Sequence, residues 1–136
     1  MNLIADHRAD NLYREALVRE LVAYNRQHAP MESWQYVGFY VQGEDGQLAG
    51  GIQGNFEWDW LHITHLWVRN PGLGLGSQLV EAAECFAKER GKRGLFLDTL
   101  DFQARLFYEA LGFVVIGTIE NAAGVSARYF MSKRIS

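Results

Sequence analysis

The segment Val68-Arg-Asn-Pro-Gly-Leu-Gly-Leu-Gly-Ser-Gln-Leu79 constrains this chain more than any other. It follows a run of aromatic and β-branched residues, 60–68, and precedes a run with helical periodicity. Leu75, Leu79, Ala82 and Phe86 form the stripe of that helix, with Val80, Ala83 and Ala87 beside it. A strand that turns through glycines into a helix leaves backbone amides free at the helix N-terminus, where the dipole favours an anion. Glycines also let the backbone approach a phosphate closely. By themselves these residues point to an anion site or to a tight strand-to-helix turn. A triphosphate-binding loop needs Gly-Lys-Ser/Thr, and this loop has no lysine. A dinucleotide fingerprint needs G-x-G-x-x-G, whereas Gly72, Gly74 and Gly76 alternate.

The flanking pattern sets the architecture. Residues 2–5 read as a short first strand. Asp10 is placed to cap a helix carrying Tyr13, Leu17, Leu21 and Tyr24, which fades before Pro30. Strands are expected at 34–42, 47–56 and 60–68, joined by turns at Glu44-Asp45-Gly46 and Glu57-Trp58-Asp59. After the helix stopped by Gly91, a strand at 94–99, a helix at 102–111 and strands at 113–120 and 126–134 complete the order. The strand–helix–strand unit 60–99 implies a parallel crossover, and the meander before it implies a mixed sheet. The fold class is α+β, not a doubly wound dinucleotide fold.

Composition narrows the partners. A chain of 136 residues, 49% hydrophobic, suits one domain spanning 1–136 with a core that needs no staple. A net charge of −3 lacks the basic footprint of nucleic-acid binding. The lone Cys85 excludes an internal disulfide and reads as buried helix packing; no metal-ligand spacing occurs. No apolar stretch is long enough to cross a membrane, and residues 1–10 lack a signal-peptide core, so the expectation is cytoplasmic.

The stretch around Gly74 and Gly76 resembles the loop of the GNAT superfamily of N-acetyltransferases. Farther on, Ala104-Arg-Leu-Phe-Tyr108-Glu-Ala-Leu-Gly112-Phe113 resembles the second signature of that family. The phrases Leu97-Asp-Thr-Leu-Asp-Phe-Gln-Ala104 and Arg128-Tyr-Phe-Met131 are similar to those of a small bacterial branch. The resemblance implies a mixed central sheet of 6–7 strands flanked by helices, with a splayed parallel pair. It also implies acetyl-CoA as co-substrate and direct attack by a primary amine, most simply a small molecule. The cofactor-binding positions it implies are Leu66, Trp67, Val68, Arg69, Leu73, Gly74, Leu75, Gly76, Ser77, Asp101, Ala104 and Tyr108. Pro71 occupies the slot of the loop's usual arginine or glutamine, and the approach from Val68 is about two residues short. Arg69 is therefore the expected substitute charge, and Asp101 replaces the asparagine that opens the second signature.

Tyr108 matches the family tyrosine that protonates the departing thiolate. The base is less defined, because strand 60–68 carries His62, Thr64 and His65 where many members have a glutamate. Alternation puts His62 and Thr64 on one face and His65 on the other. A histidine titrates close to neutrality, so His62 is the leading base, with Glu57 and His65 behind it. Glu57, Asp59, Asp98 and Asp101 could form an acidic substrate pocket. Two other readings compete: a catalytically weak acyl-CoA-binding sensor module, and a toxin acting on aminoacyl-tRNA, which the mild acidity disfavours. Dimers are common in the family, so a homodimer is a further expectation.

Overall fold

The computed structural model describes residues 1–30, 34–101 and 104–136. Two compact units divide the chain, one ending at residue 32 and one beginning at 33. In the first unit, α1 spans Tyr13–His28. Its free amides are capped by Asn11, not Asp10: Tyr13 N–H and Arg14 N–H donate to Asn11 Oδ1 at 2.9 and 3.1 Å. The expected strand at 2–5 does not form. Its residues find no partner strand, and a strand without ladder bonds is not stable.

The second unit is a six-stranded sheet with order β1-β2-β3-β4-β6-β5. Its strands are β1 (Gln35–Gln42), β2 (Leu48–Glu57), β3 (Trp60–Val68), β4 (Gly94–Leu100), β5 (Val114–Ile119) and β6 (Arg128–Arg134). Two helices interrupt them: α2 (Leu75–Glu89) after β3 and α3 (Arg105–Ala110) after β4. The start of the expected helix at 102–111 lies outside the described residues; the rest forms α3. Only β3 and β4 run parallel, because α2 carries the chain back between them, and every other pairing is antiparallel. The mixed α+β fold expected from the sequence is the one observed.

One sheet face carries the core. Val37, Ile52, Phe56, Leu61, Ile63, Leu95, Leu97 and Met131 are buried there against Leu79, Val80, Ala83 and Ala87 of α2. Tyr108 and Phe113 extend the cluster from α3 and its exit. Cys85, expected to be buried, lies on the exposed side of α2. The opposite sheet face carries the polar alternates Gln53, Asn55, Glu57 and His62, with Phe96 beside His62.

Two irregularities position the site. β3 and β4 pair only at Trp60↔Gly94, Leu61↔Leu95 and His62↔Phe96, and then part. In addition, Gln53 opposes His65 while Gly54 opposes Ile63, so Thr64 is an extra residue in β3. The bulge shifts the parity of everything after it. Leu61 and Ile63 face the core before it, and Leu66 and Val68 after it.

Candidate active site

The parting of β3 and β4 opens a cleft of about 750 Å³, within the usual range for small-molecule sites. One end lies under the glycine loop. Gly72 and Gly74 have φ of 90° and 83°, conformations that a β-carbon would strain. Gly74 is the N-cap of α2; no side chain caps this helix, and no acid sits in its first turn. Among the described residues, no backbone acceptor takes the amides of residues 72–77. The loop therefore presents an unclaimed cluster of donors at a positive helix end. Gly76 is close-packed: a β-carbon there would lie 3.2 Å from the Phe107 ring.

Along the cleft, β3 offers backbone. Arg69 N–H donates to Ala49 carbonyl at 2.8 Å, on the β2 side. Strand alternation therefore turns the N–H and C=O groups of Val68 and Leu66 toward the gap that β4 has vacated. The bottom of the cleft is lined by Tyr108, whose residue is 5% exposed. Burial pushes its phenol up to about 12, because an apolar surrounding penalises the phenolate. Among the described residues its hydroxyl makes no hydrogen bond, so it is free to donate into the cleft.

Of the residues expected from the sequence, Leu66, Trp67, Val68, Gly74, Gly76, Ser77, Ala104 and Tyr108 line this cleft. Arg69, Leu73, Leu75 and Asp101 do not. The Arg69 guanidinium turns to the β1–β2 hairpin, donating to Leu48 carbonyl at 2.7 Å and to Asp45 at 3.2 Å. Leu73 projects into solvent at 77% exposure. Leu75 packs on the core. Asp101 accepts from the Tyr129 hydroxyl at 3.0 Å, and its N–H donates to Ser126 Oγ at 2.7 Å. Pro71 does line the cleft, and among the described residues no Lys or Arg joins it.

The two leading base candidates find each other. His62 Nδ1 lies 2.7 Å from Glu57 Oε2. The His62 ring stacks on Phe96 at 4.4 Å, where the strands are still paired, so this dyad does not line the cleft. His65 does. The alternation argument fails at the Thr64 bulge: His62 opposes Asn55 and His65 opposes Gln53, both on one face of β2, so the two histidines share a face. No sequence signal marked that bulge. The acidic pocket also dissolves into separate pairs, Glu57 with His62, Asp59 with Arg93, Asp98 with Arg128 and Asp101 with Arg105. Thr64, Leu97, Asp98, Thr99 and Phe107 line the cleft without having been singled out as its lining.

The sheet opens between its parallel strands into a cleft whose lining includes residues of the free-amide loop and the buried Tyr108. The family model described as "Acetyltransferase (GNAT) family" matches residues 6–113, and the chain belongs to that family. Among solved structures, an acetyltransferase from Bacillus cereus is 30% identical, with a TM-score of 0.81 over 97% of this chain and 98% of that one. Among curated sequences, blasticidin-S acetyltransferase of Streptomyces morookaense is 45% identical over 83 residues, or 59% of this chain and 61% of that protein. An acetyltransferase of Agrobacterium fabrum is 28% identical over 98% of this chain and 99% of its own length. Among the described residues no cluster suits a metal ion, and no helix is long and apolar enough to cross a membrane.

Proposed function

We propose that the protein transfers the acetyl group of acetyl-CoA to a primary amine on a small molecule, by direct attack with both substrates bound. The observation that carries this is one cleft whose lining brings together residues of the free-amide loop, the open edge of β3 and Tyr108. The residues fit the cofactor. The loop amides suit its pyrophosphate, and the unpaired edge at Leu66 and Val68 suits the amides of its pantetheine arm. A cleft that holds donor and acceptor together supplies proximity, the main catalytic resource of such a reaction. Tyr108 is the candidate acid: burial pushes its phenol up to about 12, so it keeps its proton through neutral pH and can hydrogen-bond the sulfur as negative charge develops there.

The test is a thiol-release assay with acetyl-CoA and a panel of small amines that includes blasticidin S, the acceptor for which a relative is named. Tyr108→Phe should lower turnover by roughly one to three orders of magnitude and leave CoA affinity by calorimetry within about twofold. Unchanged turnover would remove Tyr108 from the acid role. A second reading, an acyl-CoA-binding module without turnover, draws on the absence of Lys and Arg from the described lining of the cleft. CoA binding without acetylation of any amine would favour that reading.

A further inference from the structure

Few charges line the cavities of the second unit. Among the described residues that line the cleft, Asp98 is the single acid. A second cavity, of about 360 Å³, lies at the end of β4, and Arg128 is the one charged residue in its described lining. Arg128 Nε lies 3.4 Å from Asp98 Oδ2. One ion pair therefore joins the two cavities, with its anion in the cleft and its cation in the second cavity.

Strand geometry fixes where this pair stands. On β4, Leu97 and Thr99 are buried on the core side, so alternation turns Asp98 to the face away from α2. Arg128 of β6 opposes Leu100, which shares the Asp98 face, and the two charged residues are diagonal neighbours across the β4–β6 ladder. The last paired residues of β3 and β4 are His62 and Phe96, so Asp98 stands beside the open gap. The loop amides lie at the N-terminus of α2, on the other face. A carboxylate in the cleft repels the phosphates suited to that loop and attracts a cation to its own face.

The pair contributes little to the fold. The Arg128 and Asp98 side chains are 50% and 36% exposed, and an exposed pair is worth about 0–1 kcal/mol. The contact uses one carboxylate oxygen and Nε. Asp98 Oδ1 and the terminal guanidinium nitrogens are left for other partners. Leu100, Ile119 and Val125 supply the apolar wall of the second cavity.

The geometry points to a zwitterionic acceptor: an amine that carries a carboxylate a short carbon link away, as in an α- or β-amino acid. This rests on the acetyl-transfer reading above. The ammonium enters the cleft against Asp98, the carboxylate takes the fork of Arg128, and the apolar remainder lies along Leu100, Ile119 and Val125. The charges then alternate, so binding strands no ion without a partner. Asp98 and Arg128 are specificity-determining residues; their role is recognition, not proton transfer. A site built for a charged group rejects the analogue that lacks it, because its own group is left unpaired.

The experiment compares leucine with leucinamide, and β-homoleucine with its amide, as acceptors in the thiol-release assay. Each pair shares its amine and side chain and differs in the carboxylate, so the amide is the internal control for folding. The unmodified protein should favour the acids by about tenfold or more in kcat/KM. Arg128→Gln should erase that preference by raising KM for the acids, and Arg128→Lys should keep part of it. Asp98→Asn should raise KM for acids and amides alike, by about tenfold. KM for acetyl-CoA should stay within about twofold in all three variants. Turnover of other amines but of none of these acceptors, no preference for the acids, an Arg128→Gln loss equal for acid and amide, or an unchanged amine KM in Asp98→Asn would each overturn the zwitterion assignment while leaving acetyl transfer standing. If the unmodified protein acetylates no amine at all, acetyl transfer falls, and this inference with it.

Discussion

Tyr108 and Arg69 are where individual side chains decide most. The folded Tyr108 phenol, at about 12, holds its proton longer than an unfolded tyrosine near 10. Its contribution is complete below pH 10 and is lost as pH rises from there through 12. The loss approaches roughly 2–3 kcal/mol. Urea titrations at pH 9 and 11 should show a fall in stability that is smaller in Tyr108→Phe than in the unmodified protein; equal falls would place the burial effect elsewhere. Arg69 behaves unlike its sequence position suggests. Its guanidinium serves the β1–β2 hairpin, so Arg69→Ala should leave CoA affinity unchanged and lower stability by about 1 kcal/mol. A several-fold loss of CoA affinity would show that Arg69 swings to the loop when ligand arrives. Tyr108 was legible because its neighbours form a signature. The Arg69 contact was not, because its partners Asp45 and Leu48 lie more than 20 residues away and no local pattern announces them.

Among elements, the loop–α2 junction and the β3 bulge carry the function. The junction was read closely from sequence: alternating glycines after a strand and before an amphipathic stripe admit few other structures. Its helical N-cap, Gly74, sits at φ 83°. Gly74→Ala should cost about 1–2 kcal/mol through left-handed backbone strain and weaken CoA binding about tenfold by turning the loop amides. Calorimetry and thermal unfolding measure both, and unaltered CoA affinity would show that those amides do not hold the pyrophosphate. The bulge was invisible. Inserting Thr64 into the ladder needs no special residue in β3, and it follows from how β2 and β3 register against each other. A strict alternation rule therefore put His62 and His65 on opposite faces, whereas the register puts them on one.

For the whole second unit, the gap between β3 and β4 leaves the β3 edge unpaired beyond His62. A bound pantetheine arm would complete it as an added strand. Hydrogen exchange at Leu66 and Val68 should slow on adding CoA, while exchange at Leu61, in the paired part of β3, should change little. CoA at 100 times its dissociation constant should stabilise the fold by about 2.7 kcal/mol. A thermal shift without added protection at Leu66 and Val68 would place the cofactor elsewhere. The sequence by itself determined the element order, the parallel crossover, the anion-binding turn and the tyrosine signature. Each of these is written in local periodicity, turn chemistry or a contiguous motif. Tertiary structure alone decided where β3 and β4 part, which histidine looks into the cleft, and where Arg69 and the acids spend their charge. Those outcomes depend on strand register and on partners distant in the chain, which alternation along one strand does not encode.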